Sequence, residues 1–326
     1  MRVFVAGATG YIGRAVVEAL LARGHEVVAF SRPRAGVKSA LGEAEVVRRF
    51  GGAEVRFGDV TDPASVRERG FAGEAFDAVV SCLASRTGAP ADAWRIEHEA
   101  NLNLLRAADR ADHFVYLSAI CVQHPKLAFQ HAKLAFEAAL AEAPILHSIV
   151  RPTAFFKSLS GQVERVKAGR PFLVFGDGEL TACKPIAEAE LAAFMAEVIE
   201  APGRFGRILP IGGPGPALTP RAQGEMLFEL LGRPPRFRHV PVRLLDAIIG
   251  GLGLAGRLVP RLADKAELAR IGRYYATESM LVRDPETGHY DAAATPEYGD
   301  VTLRDHYTRI LREGMAGQEL GDHAVF

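Results

Sequence analysis

The stretch Gly7-Ala8-Thr9-Gly10-Tyr11-Ile12-Gly13 constrains the fold more than any other part of this chain. It follows Val3–Ala6, a short apolar run suited to a strand buried on both faces. It opens a helix-period segment (Ile12, Ala15, Val16, Ala19, Leu20) stopped by Gly24, and a second strand, Glu26–Phe30, completes a βαβ unit. The glycines have separate jobs: a tight turn, close backbone approach to a pyrophosphate, and close helix–strand packing. The helix N-terminus then offers free amide donors and the positive end of its dipole to phosphate. The spacing marks Gly7, Ala8, Thr9, Gly10, Tyr11, Ile12 and Gly13 as cofactor-binding residues.

The same rhythm continues. Glu54–Phe57, Ala78–Cys82, His113–Leu117 and His147–Val150 read as strands, with helices over Trp94–Ala108 and Leu127–Leu140 between them. The expected fold is α/β: an NAD(P)-binding Rossmann sheet, doubly wound and parallel, with a smaller C-terminal substrate domain. Length (326 residues) and 48% hydrophobic content suffice for a large domain plus an annex. The expected division gives 1–157 and 183–212 to the nucleotide domain, 158–182 and 213–326 to the annex. Within 183–212, Lys184-Pro185-Ile186 reads as a strand, Glu188–Ile199 as a helix and Arg207–Ile211 as a strand rejoining the main sheet. Gly212-Gly213-Pro214-Gly215 reads as a loop, because no phosphate-binding helix follows at once. Thr219-Pro220 starts the next helix with a cap and a first-turn proline, and Gly232 ends it.

Strand ends in such sheets point at the ligand crevice. An NAD site usually carries an acidic residue after the second strand, where this chain has Ser31-Arg32-Pro33-Arg34. Arg32, helped by Ser31, suits a 2′-phosphate, so NADPH is the expected cofactor. Asp59 and Val60 fall near the adenine, although Asp59 reads equally as a simple helix-approach residue. Cys82, Leu83 and Ala84 line the middle of the dinucleotide, and Ser118, Pro152 and Thr153 lie toward the nicotinamide end. Charge is balanced at 39 basic and 39 acidic residues, which speaks against a nucleic-acid partner. Three cysteines without ligand spacing suggest a reducing compartment and no metal site. The apolar tract Leu244–Pro260, interrupted by Asp246 and Arg257, is too short and broken to span a bilayer. It reads as a buried or substrate-facing helix pair that, with Tyr274 and Tyr275, roofs a greasy pocket; transient membrane-surface contact is the alternative.

The glycine loop, Lys133 on the helix after the Ser118 strand, and Arg151-Pro152-Thr153 together resemble the extended and atypical short-chain dehydrogenase/reductases, close to the NmrA-like group. Further blocks are similar to the divinyl chlorophyllide a 8-vinyl-reductases of plants and their bacterial BciA-type counterparts. They include Val80–Arg86, Leu117–Gln123, Phe129–Lys133, Ile149–Leu159, Phe175–Gly178, Leu209–Gly215, Ile271–Tyr275 and Glu313–Leu320. The resemblance implies NADPH-dependent reduction of a C=C bond: the 8-vinyl group of a divinyl magnesium tetrapyrrole, chlorophyllide or protochlorophyllide, becomes ethyl in chlorophyll or bacteriochlorophyll synthesis. The front end departs from the plant pattern in lacking a plastid-targeting extension. The expected location is therefore a bacterial cytoplasm, peripheral to the photosynthetic membrane.

Many enzymes of this build place a tyrosine four residues before the lysine, and here that residue is Phe129. Phenylalanine moves no proton. Ketone reduction needs an acid at a localised alkoxide, worth about 10²–10⁴-fold in rate. Hydride added to a vinyl terminus instead spreads charge through the macrocycle, so Phe129 is permissible and can pack on nicotinamide or pigment. Lys133 is expected to hold the nicotinamide ribose and lend positive potential, or else to be a surface lysine. Cys121, His131, Tyr274 and Tyr275 are the candidate proton donors, and each reads also as packing. Phe129, Phe155, Phe156, Lys157 and Tyr275 form the expected substrate face, where aromatic rings beside a cation suit a flat macrocycle with carboxylates. A rival reading is a non-catalytic NmrA-like NADP(H) sensor or assembly factor; reduction of a smaller phenolic enone is a third.

Overall fold

Short apolar runs at a spacing too wide for hairpins force parallel pairing, and the strands obey. The structure, a computed structural model, describes residues 1–33, 42–257 and 259–314. Arg34 and most of the block ending at Leu320 lie outside the described residues. Strands β1 (Arg2–Ala6), β2 (Glu26–Ser31), β3 (Glu54–Phe57), β4 (Phe76–Ser81), β5 (Ala111–Leu117), β6 (Leu146–Pro152) and β8 (Arg207–Ile211) form one sheet. Its order is β3-β2-β1-β4-β5-β6-β8, and each neighbouring pair is parallel. The order reverses beside β1, between β2 and β4, which is where such sheets open a ligand crevice. A second, two-stranded parallel sheet pairs β7 (Phe172–Phe175) with β9 (Phe237–Val240).

Helices of eight residues or more are α1 (Tyr11–Ala22), α2 (Ala100–Ala107), α3 (Ala128–Glu142), α4 (Glu188–Val198), α5 (Pro220–Leu230), α6 (Val242–Gly256), α7 (Pro260–Thr277) and α8 (Leu303–Glu313). Helices α1 and α4 cover one face of the sheet, where Val16, Leu20, Leu191 and Met195 pack on Val3, Val5, Val80 and Val150. On the other face Leu104 and Phe136, from α2 and α3, join Phe4, Phe30, Phe114 and Tyr116. A separate core of Phe156, Val163, Phe172, Leu227, Phe228, Tyr307 and Ile310 holds the annex together.

Two expectations change. Lys184-Pro185-Ile186 is not a strand: single bridges form around it, Cys183 to Leu218 and to Met280 and Ile186 to Phe155. Pro185 lacks the N–H a ladder needs, and the Gly212-Gly213 loop presses on this segment. A Cβ on Gly213 would sit 2.0 Å from the Pro185 carbonyl oxygen, so the second glycine-rich stretch serves close backbone approach. The apolar Leu244–Val259 tract is not buried either. It forms α6, in which no residue is buried, because α6 lies on the outer side of α7 and packs mainly against that helix.

Candidate active site

The nucleotide turn is built by backbone contact. Gly7 has φ +75°, and a Cβ there would lie 2.6 Å from the Cys82 carbonyl oxygen. A Cβ on Gly13 would lie 2.1 Å from the carbonyl oxygen of Gly7, so α1 rests directly on the turn. The first turn of α1 has no side-chain cap and no acidic residue, which leaves its N–H donors and dipole for an anion. These features fit a dinucleotide pyrophosphate. Tyr11 faces elsewhere: its hydroxyl donates to Glu188 (2.7 Å), its ring lies under the Lys157 ammonium (4.8 Å) and beside Phe155 (6.3 Å). Burial, reinforced by Glu188, pushes the Tyr11 phenol far above its ordinary range.

At the adenine end, Ser31 is buried and donates to the carbonyl oxygen of Arg32 (3.1 Å), while Arg32 is exposed on the rim. The Asp59 carboxylate accepts from the N–H (2.9 Å) and hydroxyl (2.8 Å) of Thr61, which ties down its own loop. The Val60 carbonyl accepts from Asn103 (3.1 Å).

The centre is organised around a residue the sequence reading passed over. Glu97 is buried; one carboxylate oxygen accepts from the Ser85 N–H (2.8 Å) and the other faces Lys133 Nζ at 2.9 Å. Lys133 also reaches the Leu117 carbonyl (3.3 Å) and the Tyr116 hydroxyl (3.4 Å). Lys133 is therefore no surface lysine. Burial alone pushes its pKa down, but Glu97 and Tyr116 more than offset this and hold it above the ordinary lysine value. Glu97 thus ties the segment after β4, which carries Cys82, Leu83 and Ala84, to α3. Cys82 is buried, and burial pushes its thiol up to about 12, against the pull of Lys133. Ser118 donates to Glu137 (2.5 Å), and Glu137 pairs with Arg151. Buried Thr153 donates to the Lys184 carbonyl, which ties the end of β6, after Pro152, to the 183–186 segment.

Beside Lys133 lies an apolar patch of Ile120, Cys121, Leu127, Cys183, Tyr274 and Met280, with Phe129, Leu159 and Ile271 packed against it. Phe129 takes part here as a ring with no proton to give. Tyr274 is buried and its hydroxyl donates to the carbonyls of Cys121 (2.9 Å) and His124 (3.0 Å), so it ties α7 to the 120–124 turn. Tyr275 keeps its ring partly in solvent and turns its hydroxyl toward the Cys121 thiol; burial of that end pushes its pKa well up. Cys121 is itself raised by burial. His131 is exposed. Phe155 is half-buried at the crevice, but Phe156 is withdrawn from the substrate face into the annex core, tilted against the His306 ring (centroids 5.1 Å apart). The two part because Phe155 is the extended residue that caps a short helix, Phe156–Leu159, and Phe156 opens that helix toward the annex. Lys157 stays with Tyr11 at the seam between sheet and annex.

The site thus joins a pyrophosphate turn, a buried lysine–carboxylate pair and an apolar aromatic wall, with no tyrosine at position 129. Sequence reasoning missed Glu97, Glu137 and Glu188. The available signal was an acidic residue on a buried helical face: Glu97 and Asn101, one turn apart, share the side that carries Ala93, Ala100 and Leu104. Among the described residues, no group of three or more His, Cys, Asp or Glu is placed to hold a metal.

Comparison with known proteins follows this geometry. Residues 7–202 match a family model described as NAD(P)H-binding. The chain is 54% identical to divinyl chlorophyllide a 8-vinyl-reductase, chloroplastic, of Oryza sativa subsp. indica, over 99% of this chain and 82% of that protein. The protein of the same name from Arabidopsis thaliana is 50% identical over 99% of this chain and 79% of its own length. Among solved structures, AtPrR2 with NADP+ and (+)pinoresinol superposes with a TM-score of 0.69 at 19% identity, covering 94% of this chain and 98% of that one, which is a likeness of fold.

Proposed function

We propose a function from one premise: the chain belongs to the divinyl chlorophyllide a 8-vinyl-reductase family. It is an NADPH-dependent oxidoreductase that reduces the 8-vinyl group of a divinyl chlorophyllide to ethyl in chlorophyll or bacteriochlorophyll synthesis. The observation that carries this is identity of about one half along 99% of the chain, annex included. A protein that kept only a nucleotide site would have no need of the annex.

When bound, the reduced nicotinamide supplies the hydride. The chain does the rest. The glycine turn and the α1 N-terminus receive the pyrophosphate, and Arg32 takes the 2′-phosphate that distinguishes NADPH. Lys133, held charged by Glu97, is the residue proposed to hold the nicotinamide ribose and to keep positive potential beside the reacting carbon. Phe129, Ile271 and Tyr275 line the pigment side. Tyr275, whose hydroxyl meets the Cys121 thiol and makes no backbone-carbonyl bond among the described hydrogen bonds, is the preferred proton source for the second hydrogen. The two-part division, 1–157 with 183–212 against 158–182 with 213–326, finds support in an annex core drawn mainly from the second set, with Phe156 and Ala187 crossing the boundary. Three free cysteines, all buried, fit a reducing compartment, and a bacterial cytoplasm is the proposed one.

The test is direct. Purified protein incubated with NADPH and divinyl chlorophyllide is expected to shift the Soret band to the blue. NADPH binding without that shift would favour the rival sensor or assembly role, for which Phe129 at the tyrosine position is the supporting observation.

A further inference from the structure

Helix α6 divides into three sectors at 100° per residue. Val242, Leu245, Ile249, Leu252 and Gly256 are half-buried and form one stripe; a Cβ on Gly256 would lie 2.9 Å from Cα of Ala263 in α7, which marks this as the side toward that helix. Arg243, Asp246 and Arg257 form a charged edge, with Asp246 paired to Arg273 of α7. The third sector is apolar and faces outward: Leu244, Ala247, Ile248, Gly251 and Leu254 are all exposed, Leu254 by 68% and Leu244 by 51%. Four of the twelve exposed large hydrophobic residues among the described residues fall between 244 and 259.

The hairpin also carries an excess of positive charge: residues 242–273 hold six Lys and Arg against three Asp and Glu, on a chain balanced at 39 and 39. Gly250 and Gly251 have open space around them, so packing does not require glycine there, and each weakens the helix relative to alanine. A weak helix, covered on one side only, gains stability from a second surface.

We propose that the α6–α7 hairpin docks on an anionic lipid bilayer, with α6 lying flat among the headgroups. Its 15 residues span roughly 22 Å, short of a hydrocarbon core of about 30 Å, which excludes a crossing helix and fits an in-plane one. No helix among the described residues is long and apolar enough to cross a membrane. Cationic surroundings match anionic lipid, and a basic region held at such a surface is drawn to it. The inference deepens the proposed function, since α7 carries Ile271 and Tyr275 into the site and so joins an amphiphilic pigment's lipid surface to its pocket. The contact itself does not depend on that function.

Flotation of the full chain with phosphatidylcholine vesicles, with and without phosphatidylglycerol, tests it. Binding is expected to the anionic vesicles, weaker at high salt. The combined substitution Leu244→Ser, Ile248→Ser and Leu254→Ser is expected to lower partitioning by about 30-fold or more, with Tm and NADPH binding kept. Should that variant fold poorly, Arg243→Ser with Arg257→Ser is expected to remove the salt-sensitive part alone. Wild-type protein that ignores anionic vesicles, or binding indifferent to both variants, overturns the proposal. So does a self-associated mass lost in the triple variant when the wild type binds no vesicles, since a second copy would then cover α6. Failure here leaves the Soret assay untouched, and the reverse holds.

Discussion

Replacing Glu97 with glutamine keeps the shape of the side chain and an acceptor for Ser85 N–H while removing the charge opposite Lys133. Both partners are buried, with side-chain exposures of 3% for Glu97 and 7% for Lys133, and their charged atoms are 2.9 Å apart. At an effective dielectric near 20 the bare attraction at that distance is about 6 kcal/mol. Breaking one side of a buried pair typically costs about 3–5 kcal/mol, because the remaining charge is stranded. Spread over a chain of this size, that cost corresponds to a Tm lower by about 5–10 °C. The same energy acting on titration lowers the Lys133 pKa by about 2–4 units. In the wild type that pKa is raised, so the ionic contribution is fully present below the unfolded-state value of 10.5 and is lost only as pH rises through a still higher folded value. Assays up to pH 10 therefore see a constant lysine charge. In Glu97→Gln an alkaline limb is expected within the assay range, at a pH about 2–4 units below the wild-type position. The measurement is a profile of kcat/KM against pH, with NADPH Kd taken alongside. A variant active and flat to pH 10, with Lys133→Met still inactive, would refute the idea that Glu97 sets the lysine charge.

Gly13→Ala is expected to abolish NADPH binding and cost several kcal/mol, because its Cβ would meet the Gly7 carbonyl oxygen at 2.1 Å; fluorescence titration and thermal melts read both. Arg32→Ala should weaken NADPH by about 10–100-fold while leaving NADH nearly unchanged, so equal losses for both cofactors would contradict a 2′-phosphate role. Phe129→Tyr should leave vinyl reduction largely intact, and complete loss of turnover in a folded, NADPH-binding variant would count against a wall role for this ring. Burial, with help from Arg309, lowers His306 from 6.5 to about 4, so its contribution is present above pH 6.5 and is lost as pH falls through about 4. Urea melts between pH 7 and pH 4 should therefore show a steeper acid loss in the wild type than in His306→Gln, by up to about 3 kcal/mol.

The strands and the glycine turn of the nucleotide half were legible because their signals are local. A glycine whose Cβ would strike a neighbouring carbonyl, an apolar strand buried on both faces and a helix of period 3.6 are each written within a dozen residues. The strand bounds, the loop at Gly212–Gly215 and the helix opening at Pro220 were read in the same way. Resemblance in the remaining blocks supplied the reaction. Tertiary structure decided the rest, since it depends on which distant groups share a low-dielectric space. Lys133 meets Glu97, not solvent, across two helices. Of two adjacent tyrosines on α7, Tyr274 is spent on carbonyls of the 120–124 turn and Tyr275 faces the thiol of Cys121. Phe155 and Phe156 part company at the seam with the annex, and α6, apolar enough to read as buried, is left outside because α7 already fills the space beneath it. Periodicity tells which face of an element is apolar; only packing tells what, if anything, covers it.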